Sequence, residues 1–380
     1  MRTTALKIAL IFLALALAAC ARQAPPVAFH ADGMPPKLSD WHVVVSDGAT
    51  LRLNAGVVPY DLNSALFSDY AHKLRTIWMP QGVAAKYDAD AAFDFPVGTI
   101  ISKTFYYPLT KAGAWDGKSV ARVDPADGDA VDEKLDLSKV RLIETRLLVR
   151  REAGWIALPY VWNADQTDAA LERIGALVPL ELVDTDGART EIPYQVPDQN
   201  QCASCHNTDN LARKLLPIGP KARHLNRDFD YAGGRMNQLA KLTQAGYLTG
   251  APDAATAPRA ASRHDANASL DAKARAYLDI NCGHCHSAKG PANTSGLMLD
   301  VHATNDVHMG RCKQPVAAGK GTGNRLYDIK PGDAAGSVLV YRMDSDDPAV
   351  MMPELGRSTA HREGVALIAA WIDAQEGKCD

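Results

Sequence analysis

Two pentapeptides constrain this chain more than any other feature: Cys202-Ala-Ser-Cys205-His206 and Cys282-Gly-His-Cys285-His286. Each fits C-x-x-C-H, a spacing that lets two thiols add across the vinyl groups of one haem while the adjacent imidazole lies under the iron. Tetrahedral zinc also takes C-x-x-C pairs, but zinc ribbons place the second pair only ~15–20 residues on. Here most of a small domain separates Cys205 from Cys282. A redox dithiol is the other reading, and it leaves the histidine after each pair without a reason. The motifs predict two covalently attached haems c. Cys202, Cys205 and His206 would hold one, and Cys282, Cys285 and His286 the other, with His206 and His286 as proximal ligands.

Haem attachment of this kind belongs to exported chains, and the N-terminus agrees. Arg2 and Lys7 precede an apolar run over residues 8–18. That run is too short for a permanent membrane span and suits the centre of an export signal. It ends in Leu17-Ala-Ala-Cys20, followed by polar and proline-containing residues. Small residues before a cysteine here resemble the lipobox of bacterial lipoproteins, the alternative being a plain signal peptide with a chance cysteine. The resemblance implies cleavage before Cys20, a diacylglyceryl thioether on its sulfur and an acylated new N-terminus. Ala21, rather than Asp, then favours the outer membrane, with the protein facing the periplasm or the surface. Of the seven cysteines, Cys312 and Cys379 remain. An even remainder in an oxidising compartment suggests a disulfide, with two separate thiols as the alternative. Closing that loop would stabilise the C-terminal part by roughly 4 kcal/mol. Lys plus Arg is 41 against 44 Asp plus Glu, a net charge of −3, and this balance argues against a nucleic-acid binder.

The chain divides by texture. Residues 1–19 form the signal, and 20–40, rich in proline and small residues, form a lipidated tether. Residues 41–195 read as β: Trp41–Val45, Thr99–Tyr107, Val140–Val149 and Trp155–Trp162 carry β-branched and aromatic residues between Gly, Pro and Asp clusters. Leu177–Val183 and Thr190–Val196 add two short strands that Pro179 and Pro193 would confine to an edge. These signals predict an antiparallel sandwich or barrel. The acidic stretch from Asp124 to Asp136 reads as a solvated loop. Residues 196–250 form the first haem region, with a helix predicted over Asn237–Gly246, and 251–268 read as a linker. Residues 269–380 read as a small all-α unit. Leu270, Ala274, Tyr277 and Leu278 share one helix face before the second motif, and Val365, Ile368, Trp371 and Ile372 share another near the end. The expected fold class is therefore multidomain, a β-rich domain plus all-α cytochrome c-type haem regions.

The last unit is similar to class I cytochrome c, in which an opening helix leads into C-x-x-C-H and crosses a closing helix. The resemblance implies a methionine preceding proline as distal ligand, and Val350-Met351-Met352-Pro353 supplies it. Met352 is the choice, with Met351, Met343 and Met298 as competitors. Over its whole length the chain resembles a family of exported bacterial dihaem cytochromes c. The resemblance is carried by residues 60–82 (YDLNSALFSDYAHKLRTIWMPQG), 100–108 (IISKTFYYP), 155–169 (WIALPYVWNADQTDA) and 196–206 (VPDQNQCASCH). It implies no particular activity, and offers a parallel β-helix protein as a redox partner. For the first haem, His224, Met236 and His72 are the candidate distal ligands, and an open position is the alternative. His224 sits among Arg213, Lys214, Lys221, Arg223 and Arg227, a group that reads either as a solvated basic face or as a partner for haem propionates.

The expected function is electron transfer by a lipid-anchored dihaem protein. A haem oxidoreductase, a peroxidase or small-molecule dehydrogenase with substrate at an open first haem, is the rival from the enzyme class. A β-rich binding module delivering electrons to a partner is the third reading. Attachment through acyl chains has its own test. Cys20→Ser should leave the haem regions intact and release the protein from membranes, because the anchor is the buried hydrocarbon. Retention of the mutant in the membrane fraction after a salt wash would show another tether.

Overall fold

The computed structural model describes residues 24–111, 115–125, 133–207, 209–316 and 319–379. The export signal, Cys20 and part of the acidic loop lie outside these residues. In chain order the strands begin with β1 (Val44–Ser46), β2 (Thr50–Leu53), β3 (Val58–Tyr60), β4 (His72–Trp78) and β5 (Ala85–Lys86). They continue with β6 (Ile100–Pro108), β7 (Ser119–Ala121), β8 (Lys134–Asp136), β9 (Val140–Arg151), β10 (Gly154–Trp162) and β11 (Ala169–Leu171). Then come β12 (Ala176–Val183), β13 (Arg189–Val196), β14 (Asp228–Tyr231), β15 (Gly234–Asn237) and β16 (Leu248–Thr249). The α-helices are α1 (Gln199–His206), α2 (Ala222–Leu225), α3 (Gln238–Gln244), α4 (Leu270–Asn281), α5 (Val338–Asp344) and α6 (Arg362–Asp373).

A six-stranded antiparallel sheet, ordered β11-β10-β9-β6-β4-β3, is the centre of the molecule. Its strands alternate between two faces, as a period of two requires. One face carries Leu74, Ile100, Leu147, Val149, Leu158 and Tyr160, which pack with Trp41, Leu51 and Leu135 of the β1-β2-β8 side. Each such buried side chain contributes about 1.5–3 kcal/mol. Hydroxyl pairs Thr76–Ser102 (2.5 Å) and Thr104–Thr145 (2.8 Å) tie neighbouring strands on that face. A bulge at Ile143, opposite the Phe105–Tyr106 step, shifts the register between β6 and β9. At one end, Leu180, Leu182, Ile192 and Tyr194 of a β13-β12-β7 sheet pack on Phe105 and Tyr107. There β12 pairs in parallel with β7, and Pro179 faces Pro193 across β12 and β13.

The expected all-α haem regions require correction. Among the described residues, strands make up 28 % and helices 17 %, and there is no all-α cytochrome-like region. After the first motif the chain forms the β14–β15 hairpin, and β16 joins β5 of the N-terminal part. After the second motif it is largely irregular, with α5 and α6 set among turns and short 3-10 segments. The physical reason lies in the periodicity. A helical apolar stripe is sustained only in α4 and α6; elsewhere Gly, Pro, Asn and Asp punctuate the chain and favour turns. Residues 251–268 are also held to the body: Asn226 Nδ2 donates to the carbonyls of Ala254 (2.8 Å) and Ala257 (2.9 Å), and Ser64 Oγ to that of Ala261 (2.9 Å).

Buried polar ties dock these parts on the sheet. Asp69 Oδ1 accepts from the backbone N–H of Ser358 (2.6 Å) and Thr359 (2.9 Å). Asn281 Oδ1 accepts from Phe67 N (2.8 Å). Asp124, which holds Arg263, and Glu363, which faces Arg122, flank His361 at 3.7 Å each, joining the acidic loop to the start of α6. Cys312 and Cys379 are disulfide-bonded. Among the described residues no helix is long and apolar enough to cross a membrane.

The deepest tie is Asp279 on α4. Arg223 donates to both its oxygens (2.7 and 3.1 Å), and Val301 N donates to Oδ1 (3.0 Å). Removing one partner of a buried pair strands the other charge. Asp279→Ala should therefore cost about 3–5 kcal/mol, read as a lower urea midpoint at unchanged slope. Adding Arg223→Met should recover part of that loss, because the orphaned guanidinium goes with it.

Candidate functional site

The first motif is built on α1. Asp198 caps this helix by accepting from Gln201 N (2.8 Å), and the Gln201 side chain closes a capping box on Asp198 N (3.0 Å). Spacings of three and four then place Cys202, Cys205 and His206 on one helix face. The second motif begins where α4 ends. Ser269 caps α4 at its start (3.1 Å to Ala272 N), and turn bonds to Cys282 O from Cys285 N (3.0 Å) and His286 N (2.8 Å) coil the motif. Gly283 is required by close approach: a Cβ there would lie 2.7 Å from Asp279 O and 2.8 Å from Asp300 Cα.

Both motifs open onto one cavity of about 570 Å³, lined by all seven of their cysteines and histidines. That volume lies within the ~300–1,000 Å³ range of cofactor and ligand pockets. The two motif histidines are held alike. His206 Nδ1 lies 2.8 Å from Leu216 O, and His286 Nδ1 lies 3.2 Å from Leu297 O. A carbonyl only accepts, so each Nδ1 carries the proton and each Nε2 keeps its lone pair. Burial, reinforced by Lys103, pushes the His206 imidazole down to about 3, and burial also lowers that of His286. Both are neutral at physiological pH, the form that ligates a metal. Burial raises all four thiols, Cys202 to about 11 and Cys282 and Cys285 to about 12. A redox dithiol needs the opposite, a stabilised thiolate. Paired thiols beside a neutral, oriented imidazole fit covalent haem, twice.

The remaining expected ligands separate cleanly. Met352 lines the cavity and so does Met343, while Met351 and Met298 do not. The Met352 segment is held by its N–H to Arg342 O (2.9 Å) and by Arg357, which donates to Met352 O (3.0 Å). None of the three candidates for the first haem lines the cavity. His224 is buried with Nε2 3.2 Å from Asp279 Oδ2, Met236 packs in an apolar cluster, and His72 falls on the opposite face of β4 from Lys73. His284, inside the second motif, does line the cavity. It is buried there. It is the one imidazole on the wall besides His206 and His286, among the described residues.

The basic group around His224 does not line the cavity either. Arg223 is spent on Asp279, and Arg227 donates to Leu62 O (2.8 Å). Four of the cations that line the cavity come from the central sheet, and Arg342 and Arg357 line it from the C-terminal part. Arg75, Lys103 and Arg146 are direct neighbours across β4, β6 and β9, and Lys73 lies two residues from Arg75 on the same face. Strand alternation alone gives each of them an even chance of pointing to solvent. Only the pairing register brings them together. Compared with family models, with curated proteins and with solved structures, the chain finds no match.

Proposed function

We propose that the chain is a lipid-anchored dihaem c-type electron carrier of the cell envelope, similar to exported dihaem cytochromes c and working with a redox partner protein. The observation that carries this reading is the convergence of both C-x-x-C-H motifs on one cavity. Covalent haem supplies a one-electron couple when bound. The chain's own residues do the rest. Cys202 and Cys205, and Cys282 and Cys285, hold each group in place, and His206 and His286 present an oriented lone pair. Met352 is the sulfur assigned to the second group, and His284 the imidazole available to the first. Cys20 supplies the outer-membrane anchor in this reading.

Purified protein should give two covalent haems per chain by pyridine haemochrome assay. Low-spin EPR signals for both, without cyanide or CO binding, support the carrier. One high-spin, cyanide-binding haem would favour an oxidoreductase with substrate at an open first site. Met352→His should abolish a weak far-red sulfur-to-iron band and lower one of two midpoint potentials, because thioether ligation raises the potential. The same exchange at Met351 should leave the band in place. An unchanged band and potentials in Met352→His would remove Met352 from the ligand set.

A further inference from the structure

The cationic face of the central sheet holds more positive charge than the chain neutralises. Lys73, Arg75, Lys103 and Arg146 all line the cavity. Lys73, Lys103 and Arg146 gather round one buried ring, with Nζ at 5.5 and 5.2 Å and Cζ at 4.2 Å from the Phe105 centroid. Cation–π attraction offsets part of the repulsion at such a site. Two of the four cations have carboxylate partners. Arg75 donates to Asp61 (2.5 Å), which also faces Arg227 at 3.5 Å. Arg146 Nε donates to Glu144 Oε2 (2.8 Å), whose other oxygen accepts from Tyr194 (2.6 Å).

The two lysines differ. Lys73 Nζ donates to Ala71 O (2.9 Å), and neither lysine pairs with a carboxylate among the described residues. Burial, then the neighbouring guanidinium groups, pulls Lys103 down to about 7 and Lys73 well below its ordinary value. Like charges placed directly opposite in a sheet are destabilising, and burying them unpaired costs more. Of these four cationic side chains, the two arginines have carboxylate partners and the two lysines, side by side at the Phe105 ring, do not.

We propose that Lys73 and Lys103, backed by Arg75 and Arg146, form a binding site for a doubly negative ligand, a pair of carboxylates or one oxyanion dianion. Each ammonium offers up to three donors, and charge-assisted hydrogen bonds are the strong ones. Two sources share this chemistry: the propionates of the haem on the first motif, and a diffusible dianion. The first source rests on the dihaem reading, and the second does not.

The test uses the full-length purified protein, its Lys103→Met, Lys73→Met and Lys103→Arg variants, redox potentiometry, and calorimetric titration with succinate and with inorganic phosphate. If propionates fill the site, neither probe binds, and Lys103→Met keeps two haems while one midpoint potential falls. If a diffusible anion fills it, a probe binds saturably to wild type. Lys103→Met then weakens it about ten- to hundredfold, and Lys103→Arg retains binding. Should Lys103→Met fail to fold, Lys73→Met carries the same comparison. Two haems, wild-type potentials in both methionine variants and no saturable binding would overturn the proposal. Fewer than two haems in wild type would instead defeat the dihaem reading, and the titration alone then decides this site, saturable binding supporting it and no binding overturning it.

Discussion

The carboxylate of Asp279 holds the two halves of the site in one piece. It sits on α4, three residues before Cys282, and takes two hydrogen bonds from Arg223 and one from the backbone of Val301. His224 faces it from the same short helix as Arg223. Burial pushes such a carboxyl up, but here His224 and Arg223 prevail and hold it well below the usual range. One ionised group thus clamps the segment after the first motif to the helix that delivers the second.

The sheet supplies the opposite wall by a division of labour between its faces. On one face, aliphatic and aromatic side chains with hydroxyl pairs between strands build an ordinary core. On the other, the same strands carry a row of cations with Asp61 and Glu144 as partial counter-charges. Burying cations is costly, so a fold that keeps four of them on the wall of this cavity spends stability on it. Neutral motif histidines with protonated thiols lie across from this row. The arrangement sets neutral imidazoles and thiols across from a row of cationic side chains.

Much of this was legible in the chain. The C-x-x-C-H spacing, the helix stripes of α4 and α6, the longer β segments and the pairing partners Cys312 and Cys379 are all local or countable signals. The all-α expectation fails because one apolar stripe at each end of a long segment does not make the stretch between them helical. The turn-forming residues there, and the β14–β15 and β16 pairings, dictate otherwise. His224, Met236 and His72 were natural ligand candidates by proximity in sequence, yet burial against Asp279, packing in an apolar cluster and strand alternation take them from the cavity. His284 was overlooked because it lies inside a motif whose other residues already had roles.

By itself the sequence determined which atoms can bond: two thiol pairs, each with its histidine, and a methionine before proline. Those are matters of covalent spacing, which the chain carries without folding. Only the tertiary structure decided that both motifs share one cavity, which methionines reach it, and that Arg75, Lys103 and Arg146 form a single row. Strand register and helix docking set those relations. They arise from contacts between residues far apart in the chain, and local pattern holds no record of them.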